Sequence, residues 1–269
     1  MKFDHERIAS FTSTREVLAY VSTRSGDVRI DTHDDREILV ALHAHSAAHQ
    51  HLLDLADVTF DAETNVLRVR AQKNDGVESL LNIKELLKKR TWTDGCDGGV
   101  DVRVTLPSGS SVEIATASGD SEIDGDVAHV KAATASGDVV VMTDVVTLDV
   151  KSASGDVRAH RIRERMECQN ASGNVQCTGA ASTTVIRTAS GDVDVVATKA
   201  GDISVRAVSG DVRIGVAPGL AVDVKGTSVS GEMASSIALD AEGDGASESE
   251  TVTIEVTTVS GDVHINRAP

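Results

Sequence analysis

The sequence predicts an all-β protein, a single-stranded parallel β-solenoid (β-helix) with rungs of about 18 residues, and three observations carry that prediction. The tetrapeptide Ser-Gly-Asp-Val or a close variant begins at Ser118, Ser136, Ser154, Ser172 and Ser190, always 18 residues apart. It recurs at Ser209, Ser230 and Ser260, at intervals of 19, 21 and 30. Apolar and polar residues alternate after each copy. Aromatic residues make up only 2% of the 269, and none of Phe3, Phe11, Tyr20, Phe60 and Trp92 lies beyond position 92. The rest of the chain therefore builds its core from aliphatic side chains, which suits a narrow, repetitive interior.

The first strand of each unit follows its Gly. Two residues after Gly stand Ser121, Val139, Val157, Val175, Val193, Val212, Met233 and Val263. Two further on stand Ile123, Val141, Ala159, Cys177, Val195, Ile214, Ser235 and Ile265, and the residue between is polar in most copies. That period of two puts one face of a strand inward. A second strand per unit points Val130/Ala132, Leu148/Val150, Met166/Cys168 and Thr184/Ile186 inward. One such unit cannot close a core, but units stacked about 4.8 Å apart bury continuous aliphatic columns. Gly at the corner permits a positive φ, and Asp or Asn beside it can bond to nearby backbone amides.

Residues 1–99 form an irregular N-terminal β region, and residues 100–269 the regular repeat domain. Strand-like runs in the first part are 17–22, 28–31, 38–43, 58–60 and 66–70, and Ser25-Gly26-Asp27-Val28 is an early copy of the motif. Two helices are expected there. One spans 46–56, with Ser46 as N-cap. The other spans 77–90, Val-Glu-Ser-Leu-Leu-Asn-Ile-Lys-Glu-Leu-Leu-Lys-Lys-Arg, whose apolar face caps the solenoid or alternatively binds a partner or membrane surface. Residues 93–99 read as a linker, and residues 240–250, acidic and rich in Gly and Ser, as an excursion from a corner.

The repeated Ala-Ser-Gly-Asp-Val units, the strand Val-Asp-Val-Arg-Val-Thr-Leu-Pro from Val100 and the ending Thr257-Thr258-Val259-Ser260-Gly261-Asp262-Val263 resemble the bacterial putative-adhesin family. That family is a domain of unknown function built from β-strand repeats. The resemblance implies a single-stranded parallel β-solenoid over roughly residues 15–267 and no established catalysis.

The column Asp120, Asp138, Asp156, Asn174, Asp192 and Asp211 is the most suggestive chemistry. It is read as corner capping, with bound Ca²⁺ at the five aspartates as the alternative. His43, His45, His49 and His51 form two His-x-His pairs that are read as a solvated strand end rather than a metal site. Arg158, His160, Arg161, Arg163 and Arg165 make a basic rung paired to neighbouring carboxylates. Cys168 and Cys177 fall on inward columns and are read as buried small hydrophobes. With Cys96 they are too few for a disulfide framework. No cofactor is expected.

A net charge of −16 opposes nucleic-acid binding, which draws on Lys and Arg. The charged N-terminus lacks an apolar signal core, which reads as cytoplasmic. The expected function is a non-enzymatic scaffold or adhesin-like interaction module that binds a protein partner or itself through an unpaired end rung. The family resemblance implies a second reading, an accessory sensing or docking protein of an envelope-stress or regulatory system. A polysaccharide-active β-helix enzyme is the weakest, because sugar sites stack on rings and the repeats have none.

The inside/outside assignment is directly testable. Val157→Asp buries an unpaired charge and should cost about 3–5 kcal/mol, whereas Arg158→Asp, one residue on, should cost under about 1 kcal/mol. Thermal melts of the two variants check this, and equal losses would refute the columns.

Overall fold

The computed structural model describes residues 5–71, 99–237 and 250–268. The expected helix at 77–90 and nearly all of the linker at 93–99 and the excursion at 240–250 lie outside the described residues. The protein is all-β, and its strands join one sheet that winds around an aliphatic core. Each repeat contributes to two faces of the stack.

On one face the second strands stack in parallel: β8 (Ser110–Ser118), β10 (Val127–Ser136), the latter part of β11 (Val139–Ser154) and of β12 (Val157–Ser172), β14 (Thr183–Ser190) and β16 (Gly201–Ser209). On the other face β9 (Ser121–Ile123), the first parts of β11 and β12, β13 (Val175–Gly179), β15 (Val193–Ala197) and β17 (Val212–Val216) do the same. β11 and β12 run unbroken through the corner opposite the Ser-Gly-Asp motif, so two rungs hold one long strand where two short ones were expected.

The inward columns are buried as the alternation predicts, from Val139, Val157, Val175, Val193 and Val212 to Val141, Cys177, Val195 and Ile214. The second strands bury Val130, Leu148, Met166 and Ile186 likewise. Met233 and Ser235 depart from the pattern and are exposed.

Their exposure follows from the order of the rungs, which is not the order of the chain. β18 (Ala221–Ser230) and β19 (Met233–Ser235) leave a gap one rung deep below β16 and β17. The last segment, β20 (Thr251–Ser260) and β21 (Val263–Arg267), returns to fill it, pairing in parallel with strands on both sides. The rung at 221–235 is therefore the end of the stack. The N-terminal part behaves alike. β2 (Leu18–Ser25) and β3 (Val28–His33), the early motif copy, insert between β6 (Val66–Arg70) with β7 (Val100–Pro107) on one side and β8 with β9 on the other.

The sheet as a whole is mixed: the repeats pair in parallel, and antiparallel pairings occur where the N-terminal region, read from sequence as irregular, folds against them. β4 (Glu37–Ala44) runs antiparallel to β7, β1 (Glu6–Thr12) antiparallel to β4, and β5 (Asp57–Asp61) antiparallel to β6. Of these pairs only β5 and β6 are joined by a short connection, as a hairpin is; β1 with β4 and β4 with β7 pair across longer stretches of chain. The helix at 46–56 is a 3-10 turn, Ala47–His49, followed by α1 (His51–Leu55), which buries Leu52 and Leu53. Ser46 occupies the N-cap position, but its Oγ lies 2.7 Å from His49 Nδ1 and caps no amide. Arg7 instead secures the other end of α1, donating to the carbonyls of Leu53 and Ala56 at 2.9 and 2.7 Å.

Corner glycines fix how closely rungs approach. At Gly155 φ is 133°, and a Cβ there would lie 2.1 Å from the carbonyl oxygen of Gly137 in the rung above. Both the dihedral and the contact exclude a side chain. Gly155→Ala should therefore lower thermal stability by more than about 2 kcal/mol, well beyond the 0.5–1 kcal/mol scale of ordinary glycine effects. A melt equal to wild type would refute the close stacking.

Candidate functional site

The corner motif is where sequence, backbone and electrostatics meet. Within it the Gly amide donates to the Ser carbonyl of the next rung, as Gly137 does to Ser154 at 3.1 Å, and the residue after Asp donates to the next Asp carbonyl, as Val139 does to Asp156 at 2.9 Å. The Asp amide between them points the opposite way. Its acceptor is the side chain of the corner above: Asp138 N–H donates to Asp120 Oδ1 and Asp156 N–H to Asp138 Oδ1, both at 2.8 Å. The row continues through Asn174 to Asp156, Asp192 to Asn174 and Asp211 to Asp192, all at 2.9 Å. Asn174 fits because its Oδ1 accepts as a carboxylate oxygen does.

The ladder extends beyond the six residues singled out from sequence. Asp120 N–H donates to Asp27 Oδ1, and Asp27 N–H to Asp101 Oδ1. At the other end Asp262 N–H donates to Asp211 Oδ1, and Glu232 N–H to Asp262 Oδ1. Asp27 and Asp262 carry the motif and were legible. Asp101 follows Gly99-Val100 without a Ser-Gly, and nothing local marks it.

Outer oxygens of the ladder meet arginines. Arg158 reaches Asp138 Oδ2 at 2.9 Å and Asp156 Oδ2 at 2.6 Å, and Arg213 reaches Asp211 Oδ2 at 3.2 Å. The Asp156 amide, and then Arg158, hold the Asp138 carboxyl below its ordinary range. The rest of the basic rung spreads over the outer surface: Arg161 pairs with Asp144 at 3.5 Å and Arg165 with Glu167 at 2.8 Å, while His160 lies 3.8 Å from Asp144.

The histidines do not converge. His45 Nε2 lies 2.6 Å from Asp101 Oδ1, His49 meets Ser46, and His51 Nδ1 lies 3.0 Å from the Ala48 carbonyl. His43 lines an open groove of about 380 Å³ with Glu6, Asp27, Arg29, Asp101 and Arg103. Both arginines of the groove are engaged by carboxylates, Arg29 by Asp31 and Glu122 and Arg103 by Asp31. Among the described residues no three metal-ligating side chains gather in one place. Cys168 and Cys177 are buried and free, and burial pushes their thiols up to about 12 and about 11. Thiols held protonated in this way are poor nucleophiles.

Exposed apolar residues collect toward the terminal rung. The residue before each Ser-Gly is Ala at 117, 135, 153, 171 and 189, but Val at 208, 259 and 229. These three share one column of adjacent rungs, in that spatial order, and are 54%, 47% and 78% exposed. Together they form a contiguous apolar ridge on the outer face.

Compared with known proteins, residues 21–266 match the model of the family described as Toastrack DUF4097. A putative adhesin from Parabacteroides distasonis ATCC 8503 is 14% identical, with 97% of this chain and 96% of that chain covered and a TM-score of 0.53. A putative adhesin from Bacteroides fragilis NCTC 9343 is 11% identical, with 96% of each chain covered and a TM-score of 0.51. The likeness at these identities is one of fold. No curated protein matches the chain.

The ladder makes a prediction about acid and amide chemistry together. Asp138→Asn keeps an acceptor for the Asp156 amide, whereas Asp138→Ala removes it, so Ala should cost about 1–2 kcal/mol more than Asn. The Asp138 carboxyl titrates lower in the folded than in the unfolded chain, so its stabilisation is present above the unfolded value and is lost as pH falls through the folded one. The drop in melting temperature on acidification should therefore be shallower in Asp138→Asn than in wild type. Equal stability of the Asn and Ala variants would refute the acceptor role.

Proposed function

We propose that the chain, which belongs to the Toastrack DUF4097 family, is a non-enzymatic, adhesin-like binding module that engages a protein partner from its outer surface. In this reading the repeat region is a single-stranded parallel β-helix serving as a rigid rod, and the parallel rung-to-rung pairings support it. The description of two solved structures of similar fold as putative adhesins agrees with it.

The observation that carries the proposal is the valine ridge. Upstream corners present Ala, which stacks against its neighbours at little exposed apolar cost. Val208, Val259 and Val229 add apolar surface to water at the same structural position, where the corner turn itself gains nothing from the larger side chain. Burial of that surface against a partner supplies the return, at roughly 25 cal/mol per Å². The described rings are used elsewhere: Phe11 and Phe60 pack on each other at 5.6 Å between centroids, and Arg68 lies over Tyr20. Among the described residues that arrangement offers the sugar-cleaving alternative no row of stacking rings.

The triple variant Val208→Ser, Val229→Ser, Val259→Ser tests the reading beside Arg187→Ser, an outward position of the neighbouring strand β14 that is not part of the ridge. The ridge variant should melt within a few degrees of wild type, because the three side chains are exposed. Quantitative co-precipitation should show partners retained by wild type and Arg187→Ser but reduced at least tenfold in the ridge variant. An unchanged bound set, or turnover of a polysaccharide by the wild-type chain, would overturn the proposal.

A further inference from the structure

The terminal rung ends the stack in an open edge. β18 bonds to β20 along one side, and among the described residues no strand bonds to its other side. Natural edge strands are usually protected by Pro, a bulge, an inward charge or an outward Lys; of these β18 carries only Lys225, with Asp223 of opposite sign beside it on the same face. β18 has the sequence Ala-Val-Asp-Val-Lys-Gly-Thr-Ser-Val-Ser and pairs with β20 without a register shift. Core columns that are covered elsewhere reach water here: Val224 is 39% and Met233 40% exposed, while their partners in the rung above, Ile254 and Val263, are buried.

The geometry points to a second copy of this chain as the occupant of that edge, with the two β18 strands pairing antiparallel about a two-fold axis through Val224. Two features of the strand select this arrangement. The Ala221 amide bonds to the Glu250 carbonyl on the β20 side. Strand alternation then places the amides and carbonyls of Val222, Val224 and Gly226 on the free edge, where an antiparallel partner can use them. Charge fixes the register. Asp223 and Lys225 flank Val224 on the outward face and are exposed.

With Val224 opposite itself, each Asp223 faces the second copy's Lys225, Val222 faces Gly226, and both ion pairs form on closely spaced, non-hydrogen-bonded positions. Shifting the axis to residue 223 puts two aspartates opposite each other, and shifting it to 225 puts two lysines opposite each other. Like charges directly opposite are destabilising. A two-fold pairing also closes at two copies, whereas stacking this end on the N-terminal end would make an open filament. The inference goes beyond the proposed binding function and does not rest on it, since the edge and the valine ridge are altered by different substitutions.

Sedimentation velocity of the full chain over a concentration series tests the pairing. The wild type should shift from 28.1 kDa toward twice that mass as concentration rises. Asp223→Lys and Lys225→Asp should each raise the dissociation constant at least tenfold, and the double variant Asp223→Lys, Lys225→Asp should restore it, because the exchanged charges remain complementary. In a Cys96→Ser background, a short bis-maleimide should join two copies of Val224→Cys efficiently and two copies of Ser228→Cys poorly. All four positions on β18 can be altered with the rung's parallel bonds to β20 intact, and circular dichroism melts check that they are. A monomer at every concentration, or a dimer indifferent to the single charge reversals, would overturn the proposal.

Discussion

The structure depends on one backbone amide per rung. At each Ser-Gly-Asp corner the glycine's positive φ turns the Asp N–H away from the direction in which its neighbours bond, and no backbone carbonyl is there to receive it. A carboxylate from the rung above supplies the acceptor. The same residue is thus donor to one rung through its backbone and acceptor for the next through its side chain. A backbone amide is an obligatory donor, and at these solvent-facing corners a charge-assisted bond to the side chain above satisfies it; meeting that requirement sets residue type, glycine placement and rung spacing together.

The same interaction explains why rungs can stack out of chain order. A corner recognises the corner above it by chemistry and not by connectivity, so Asp27 serves Asp120 across 93 residues of chain as well as Asp120 serves Asp138 across 18. It also explains the ends. Asp101 begins the row without a Ser-Gly, and among the described residues no corner amide lies above it. Glu232 closes it, and among the described residues there is no further corner amide to serve. The ladder spends its inner oxygens on structure and leaves only outer oxygens to arginines such as Arg158 and Arg213. The proposed contact surfaces, the valine ridge and the edge of β18, accordingly lie outside the ladder.

Much of this was legible in sequence. The period of two after each Gly identified Val139, Val157 and Val193 as core and Arg158 and Asp194 as surface, since inward and outward positions in a stacked strand differ in chemistry in most copies. The corner role of Asp138 and the tolerance of Asn174 followed from acceptor chemistry alone. The order of the rungs was not legible, because identical corners are interchangeable partners and the repeat carries no address. Signs existed at the end: Met233 and Ser235 stand where Val and Ile are usual, Gly226 interrupts the inward column, and Glu232 replaces Asp. Each is permitted only where no further rung packs. The antiparallel strands β1, β4 and β5 lie outside the repeat and are set by tertiary pairing, so periodicity could find β4 and β5 but not their direction.

The most direct test of the ladder is the pH dependence of the Asn174 backbone amide in a nuclear magnetic resonance titration. Asn174 has no carboxyl of its own, yet its N–H donates to Asp156 Oδ1 at 2.9 Å. Its proton resonance should therefore move on acidification, and the movement should vanish in Asp156→Asn while the amide stays protected from exchange. A resonance that ignores pH in the wild type, or that exchanges with solvent as a free amide does, would contradict the account.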